Sequence, residues 1–193
     1  LKLYCFVSIL VFSIACSFAQ RYKITNGIGL QGGITQFNIL SDNFETKSST
    51  GYLGGLTASV DIPHKWYNVS YNIQLSENNV DISASQLGTL EGEFLEYKIL
   101  TAQISFLLHV KIIESNLTLD LGPVLQYNGK LELKDDSKED YIITNYSNLL
   151  AEDISDISQF NINGAIGLSA GFSRFKLRAQ YQYGFTNLLE NLN

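Results

Sequence analysis

Residues 175–186 read F-K-L-R-A-Q-Y-Q-Y-G-F-T, a stretch in which apolar and polar positions alternate. One set of positions carries Phe, Leu, Ala and Tyr, and the other carries Lys, Arg, Gln, Gly and Thr. Because successive residues of a β-strand point to opposite faces, the pattern predicts a strand with one apolar and one polar face. At about 3.3 Å per residue the stretch is about 40 Å long, enough to cross a bilayer at the usual strand tilt.

Six further segments alternate in the same way, and none shows sustained helical periodicity. They are residues 28–37, 51–62, 66–77, 94–112, 117–131 and 160–172. Long connections at about 41–50, 78–93 and 134–156 alternate with short turns, so antiparallel hairpins would place all long loops at one end. Outer-membrane barrels have this arrangement, with short periplasmic turns and longer external loops.

The predicted fold class is therefore all-β, an antiparallel up-and-down transmembrane β-barrel of the eight-stranded type with about seven strands in this chain. A closed single-chain bacterial barrel has an even number of strands, and an open edge in lipid would leave backbone groups unpaired. We expect the barrel domain, residues 20–193, to lack its last, returning strand. A strand from a partner, or different pairing of residues 22–27, are the alternatives.

Residues 1–19 have the features of a signal peptide, which predicts export to the cell outer membrane. An apolar run over residues 3–15 is followed by Ser17-Phe18-Ala19, a small-x-small cleavage pattern. The run is too short for a membrane-spanning helix. A lipoprotein acylated at Cys16 is an alternative, although Ser13 stands where a lipobox prefers a large aliphatic residue.

Composition excludes several classes of function. Acidic residues outnumber basic ones, 19 to 13, which argues against nucleic acid as a partner. Both cysteines, Cys5 and Cys16, lie in the leader, so the mature chain would have no disulfide. His64 and His109 are the only histidines, and their spacing matches no metal motif. Both map near the periplasmic end, whereas barrel enzymes need histidine near the external rim. We expect no catalytic site, cofactor or metal.

Aromatic residues near the strand ends favour a lipid-facing apolar surface over an apolar interior. The predicted interface aromatics are Tyr52, Trp66, Tyr67, Tyr127 and Tyr183. The opposite face is rich in Asn, Gln, Ser and Thr, which suits a narrow polar interior, whereas a soluble exterior would carry more Lys and Glu. A soluble lipocalin-like barrel with the apolar face inward remains an alternative.

Six charged or titratable residues fall on the predicted interior face. They are Asp61, His109, Lys111, Asp120, Lys176 and Arg178. Because an unpaired buried charge is costly, we expect them to form a structural ion-pair network that fills the interior. A proton relay and a polar-ligand site are the functional alternatives. The acidic loop at 134–156 predicts a solvated loop, with a surface calcium site or a recognition loop as alternatives.

Several segments resemble the PorT-like outer-membrane β-barrel domain family of Bacteroidota. The matching pieces are residues 27–33 (GIGLQGG), 95–100 (LEYKIL), 121–125 (LGPVL), 162–168 (INGAIGL) and 178–188 (RAQYQYGFTNL). The last resembles the family's Y-x-Y-G-L-T-N-I signature. The resemblance implies an eight-stranded outer-membrane barrel that ends in one more strand with a terminal aromatic residue. Most members of this family have no characterised function.

The combined prediction is a small integral outer-membrane barrel with a side-chain-filled interior and a structural, adhesive or accessory role, without catalysis. Its expected partner is outer-membrane lipid rather than nucleic acid, and the sequence identifies no protein partner. The alternatives are a soluble periplasmic lipocalin-like barrel that binds an apolar ligand, and a narrow pore.

Overall fold

A computed structural model describes residues 24–41, 43–86, 92–146, 148–155, 157–172 and 174–190. The predicted signal peptide lies outside the described residues. Eight strands are present in the described ranges: β1 (Thr25–Phe37), β2 (Thr46–Asp61), β3 (Tyr67–Ser85), β4 (Gly92–Ile113), β5 (Leu117–Leu133), β6 (Ile142–Ile143), β7 (Phe160–Phe172) and β8 (Phe175–Gly184). None of the helices in these ranges has both the length and the apolar character needed to cross a membrane.

Each long strand pairs antiparallel with the next one along the chain, in the order β1-β2-β3-β4-β5-β7-β8. The two-residue strand β6 pairs with the end of β3, where Ile143 lies opposite Ala84. The predicted all-β, up-and-down antiparallel order is confirmed. Within the described residues β1 and β8 have no strand partner on their outer sides. Because strand direction alternates along the meander, these two edge strands run in the same direction.

The sheet is strongly curled. On the concave face, Gln103 of β4 donates a hydrogen bond of 3.1 Å to Gln182 of β8, although β5 and β7 lie between these strands. In a flat sheet the two strands would be about 14 Å apart, with their side chains parallel. Glycine permits part of this curvature: a Cβ at Gly122 would overlap the carbonyl oxygen of Phe106 on the neighbouring strand.

The two faces of the sheet differ in polarity over the length of the shorter strands. The convex face is apolar and exposed, with Ile28 at 89% and Leu177 at 80% relative exposure on the two edge strands. The concave face is polar, and on the central strands it is buried, as Asn72 and Thr118 show at 1% exposure each. Alternation therefore places the apolar residues outward, towards the surroundings of the sheet.

Strands β2 and β3 are longer than predicted. The connection expected at 78–93 is largely strand, because β3 continues to Ser85 and β4 begins at Gly92. Alternation continues through this segment, but its polarity reverses: Ser76 and Asn78 on the concave face are followed by Val80 and Ile82. The prediction ended the strand where the reversal begins, which is wrong. Likewise β2 begins at Thr46, within the loop predicted at 41–50.

The extended strands and the long connections enclose an apolar core, which we call the cap. Its buried residues are Ile39, Phe44, Val80, Ile82, Ala84, Leu95, Tyr97, Ile99, Leu131, Ile143, Ala151, Ile154 and Ile157. Tyr97 is completely buried and donates a hydrogen bond of 3.0 Å to the carbonyl oxygen of Ala151. Burial raises the pKa of the Tyr97 hydroxyl.

The connection at 134–156 is folded rather than simply solvated, which corrects the expectation for the acidic loop. Its apolar residues Ile143, Ala151 and Ile154 pack into the cap. The acidic residues in its described part are exposed. The Asp135 carboxylate accepts hydrogen bonds from the amide and hydroxyl of Ser137, and these bonds lower its pKa. The connection is folded because its apolar residues pack against the cap residues of β3, β4 and β5.

The polar interior as the candidate functional site

A layer of glutamine side chains crosses the concave face. Gln74 donates to Gln103 at 2.5 Å, and Gln103 donates to Gln126 at 2.6 Å and to Gln182 at 3.1 Å. Gln31 of β1 reaches the same layer through Gln74 at 3.5 Å. A primary amide carries both donors and acceptors, so glutamines can form continuous chains of hydrogen bonds. The layer crosses the concave face at mid-height.

A second layer lies between the glutamines and the cap. The hydroxyls of Ser76 and Thr101 are 2.7 Å apart, and the Asn78 amide donates to both. Across the interior, Asn128 donates to Asn161 at 2.5 Å. This layer satisfies the buried polar groups immediately below the apolar core.

Asp120 is the centre of a charged cluster near the short turns. Its carboxylate lies 2.6 Å from Nδ1 of His109 and accepts a hydrogen bond of 2.6 Å from Thr118. It also accepts a hydrogen bond from Ser169, and Nε of Arg178 lies 3.4 Å away. Four strands supply these groups, so the carboxylate is held firmly although it is 1% exposed. Buried carboxylates require this degree of satisfaction.

His109 connects this cluster to β3. Its Nδ1 faces Asp120, its direct cross-strand neighbour, and its Nε2 lies 2.8 Å from the hydroxyl of Ser70. The Ser70 oxygen also accepts a hydrogen bond of 3.2 Å from the Asn72 amide. Ser70, His109 and Asp120 therefore lie in one line of hydrogen bonds. This arrangement can polarise a hydroxyl.

A second charged group lies at the same end of the sheet. Nζ of Lys111 is 3.4 Å from Asp61 and donates a hydrogen bond of 2.9 Å to the carbonyl oxygen of Ile62. Ser115 donates to Asp61 and accepts from the amide of Asn68. Residues of two short turns thus tie the lower ends of β2, β3 and β4 together.

Five of the six predicted interior residues lie in two separate clusters. His109, Asp120 and Arg178 form one cluster, and Asp61 with Lys111 forms another. Lys176 is exposed, and neither cluster includes it. Sequence reasoning did not identify Ser70 or Ser169 as members of the first cluster. The only available signal was that both fall on the polar face of their strands.

A cavity of about 1740 Å³ adjoins these groups. Ser70, His109 and Arg178 are among its lining residues, together with Gly27 and Gly29 of β1. The wall formed by β1 and β2 carries small residues, whereas the wall formed by β3, β4 and β5 carries the hydrogen-bonded layers. Residues of both edge strands line the cavity, including the outward-facing Ile28 and Leu177, so the open volume extends into the gap between β1 and β8.

Four of the five predicted interface aromatics lie exposed on the convex face or its lower end. Tyr52, Trp66, Tyr127 and Tyr183 have relative exposures of 67%, 63%, 46% and 51%. Tyr67 is half-buried and packs edge-to-face on Trp66, with ring centroids 5.0 Å apart. Trp66 and Tyr67 lie near the short turns, and the other three lie towards the long connections.

Comparison with protein-family models gives no match, and comparison with curated proteins and with solved structures gives none either. The resemblance to the PorT-like family therefore stays a prediction. Among the described residues, no group of three or more His, Cys, Asp or Glu side chains is arranged to hold a metal ion. The geometry of the interior is thus the basis for interpreting function.

Proposed function

We propose that the protein is a small integral β-barrel of the bacterial outer membrane with a structural, adhesive or accessory role. The observation that carries the proposal is the polarity of the two faces, because the apolar face is exposed and the polar face is buried. Exposed apolar patches on soluble monomers rarely exceed a few hundred Å². Here the apolar surface covers all seven long strands, which suits contact with lipid rather than water.

The height of the apolar surface supports the same proposal. On β4 the outward-facing residues are apolar from Leu100 to Ile112, and charges begin at Lys98 and Glu96. That segment is about 40 Å long, which at a strand tilt of about 40° covers about 30 Å of membrane depth. The hydrocarbon core of a bilayer has this thickness.

The alternatives fit the interior less well. A lipocalin-like barrel needs an apolar cavity for its ligand, but the concave face carries hydrogen-bonded amides and hydroxyls. A pore needs a continuous opening, but the glutamine layer and the cap lie across the interior. An interior blocked against ion flow agrees with a structural, adhesive or accessory role rather than with transport.

Barrel closure belongs to the same proposal. The edge strands β1 and β8 run in the same direction, so one strand between them would be antiparallel to both. We infer that such a strand, from outside the described residues, completes an eight-stranded barrel. In lipid, each unpaired backbone group on these edges would cost several kcal/mol.

The experiment is reconstitution of the full chain into lipid vesicles. We expect vesicle-bound protein to resist alkaline extraction and to migrate differently on gels with and without heating. The matched variants are Ile104→Asp, inside the proposed lipid belt, and Thr50→Asp, at an exposed position of β2 one step above Tyr52. Only Ile104→Asp should impair insertion, because it places a carboxylate in hydrocarbon.

Two results would overturn the proposal. One is a chain that stays folded and monomeric in buffer without detergent, and the other is equal insertion of the two variants. Planar-bilayer recordings separate the plugged barrel, which should not conduct, from the narrow pore.

A further inference from the structure

The line of hydrogen bonds from Ser70 through His109 to Asp120 has the form of an activated nucleophile. Nε2 of His109 lies 2.8 Å from Oγ of Ser70, and Nδ1 lies 2.6 Å from Oδ1 of Asp120. In nucleophilic catalysis a serine hydroxyl needs a base within this distance, and the base needs a third group that orients it. All three side chains come from strands of the sheet, which hold them more rigidly than loops would.

The surrounding hydrogen bonds set the direction of proton donation along this line. The Asn72 amide donates to Oγ of Ser70, so the serine proton is available to donate to Nε2 of His109. Nδ1 of the imidazole then carries the hydrogen that Asp120 accepts. The imidazole tautomer with its hydrogen on Nδ1 fits this arrangement, and in that tautomer Nε2 can accept a proton from Ser70.

The Asp120 carboxylate is held in one orientation by several hydrogen bonds. Thr118 and Ser169 donate to its oxygens, and Nε of Arg178 lies 3.4 Å away. These contacts prevent the carboxylate from rotating away from the imidazole. An ion pair between His109 and Asp120 would not by itself fix the orientation of the imidazole ring. The additional contacts of Asp120 do so, because they hold the carboxylate in place.

Ser70 is 1% exposed and lies among the residues that line the cavity. In the sheet register Ser70 neighbours Ser59 on β2, which in turn neighbours Gly27 on β1. These small residues leave the interior open on that side, and Ser70, His109 and Arg178 line the cavity of about 1740 Å³. Arg178 lines the same cavity, and its Nε contacts Ser169 and Asp120 on the other side of the cluster from Ser70.

We propose that the interior contains an ester-hydrolysing site with Ser70 as the nucleophile and His109 as the general base. The substrate class is a small carboxylic ester that fits the cavity. Oγ of Ser70 bonds to the acyl carbon while its proton moves to Nε2 of His109. The bond to the alcohol oxygen then breaks, and His109 returns the proton to the departing alkoxide. Water attacks the acyl-serine with His109 again as base, which releases the carboxylic acid and regenerates Ser70.

The test is covalent labelling of the folded full chain in detergent micelles with diisopropyl fluorophosphate. Labelling joins Oγ of Ser70 to phosphorus and releases fluoride, while the serine proton leaves through His109. We expect one adduct, located on Ser70 by peptide mass spectrometry. The adduct should be absent from Ser70→Ala and from the heat-unfolded chain. In Asp120→Asn the labelling rate should fall about 100-fold or more, because the ring loses its orienting group.

Ser83→Ala is the matched control, because Ser83 is a buried hydroxyl of β3 that lies outside the cavity lining and forms a hydrogen bond with Thr144. Its labelling should equal that of the wild-type chain. Circular dichroism and heat-modifiable migration show whether each variant is folded. If Asp120→Asn does not fold, the test rests on the wild-type chain. The folded wild-type chain either forms the Ser70 adduct, which supports the proposal, or does not, which overturns it.

The absence of a Ser70 adduct in the folded wild-type chain would overturn the proposal, as would labelling that survives in Ser70→Ala. An unchanged labelling rate in a folded Asp120→Asn variant would do the same. Labelling is measured in micelles and needs no vesicle, so its failure is distinguishable from failure of the proposed membrane insertion. Hydrolysis of p-nitrophenyl acetate by the wild-type chain, lost in Ser70→Ala, would extend the result from labelling to turnover.

Discussion

The belt, which is the exposed apolar surface between the levels of Leu100 and Ile112 on β4, and the cap share strands but have opposite polarity. In the belt, β4 directs Ile104 outward and Gln103 inward, whereas in the cap it directs Lys98 outward and Ile99 inward. Strand geometry is the same in both regions, because side chains alternate with a period of two. The difference teaches that burial follows the surroundings: outward residues face water around the cap and, in our proposal, lipid around the belt.

The largest expected effect comes from a carboxylate in the cap. Ile82→Asp would bury a charge at a position with 0% exposure, and we expect it to lower the free energy of unfolding by about 5 kcal/mol. The measurement is urea unfolding followed by the fluorescence of Trp66, the only tryptophan. A loss below about 1 kcal/mol would mean that the cap is not a packed core.

Asp81 provides the control for Ile82→Asp. It is a native carboxylate at the preceding position of β3, where the side chain lies on the outward face. Burial raises the pKa of Asp81, and repulsion by Glu96 raises it further. A raised pKa in the folded state favours folding at low pH, and that contribution is lost as the pH rises through the folded-state pKa. Asp81→Asn should therefore leave stability equal or higher at pH 7, and any gain should shrink as the pH falls through the folded-state pKa of Asp81 and vanish below the ordinary value of 3.8.

Removal of the carboxylate from the interior cluster should have the next largest effect. Asp120→Ala leaves His109 and Arg178 without their shared acceptor, and we expect a loss of about 3–5 kcal/mol in the same urea titration. A neutral result would show that the interior is hydrated enough to replace the carboxylate by water. This variant compares a polar core directly with the apolar core tested by Ile82→Asp.

A smaller loss is expected in the glutamine layer. Gln103→Leu keeps much of the side-chain volume but removes the donor to Gln126 and Gln182. We expect a loss of about 1–3 kcal/mol, because buried amide partners are left unsatisfied. Gln103→Glu would be a poor control, since it adds a charge. Gln36→Leu, on β1 outside the layer, should change stability by less than about 1 kcal/mol.

The smallest effect is expected at Lys176. It is exposed and belongs to neither charged cluster, so Lys176→Ala should change stability by less than about 0.5 kcal/mol. A larger loss would reveal a partner for Lys176 on a strand that occupies the gap between β8 and β1. The same urea titration, run with and without vesicles, checks this.

Much of the belt was predictable from alternation. The predicted ranges 117–131 and 160–172 lie within β5 and match β7, because each has an uninterrupted two-residue period bounded by turns. The ends of β3 and β4 were not predictable in the same way. At Val80 the inward-facing residues of β3 change from polar to apolar. A prediction that assigns one polarity to each face of a strand therefore ends the strand there.

The candidate site was predictable only in part. The short turn between β4 and β5 sets the register that places His109 opposite Asp120, so this pair follows from local sequence. The approach of Ser70 depends on the register of β3 against β4 across a long connection. No local rule predicts that register, and Ser70 is one of several serines on the polar face.

The amino-acid sequence by itself determined the positions of the seven long strands in the chain and their two contrasting faces. These properties are local, because the direction of each side chain depends only on its position along an extended backbone. Only the tertiary structure decided that the polar face is the concave one, that Gln103 meets Gln182, and that the long connections form an apolar cap. Those outcomes depend on how distant strands pair and curl, which a period of two does not specify.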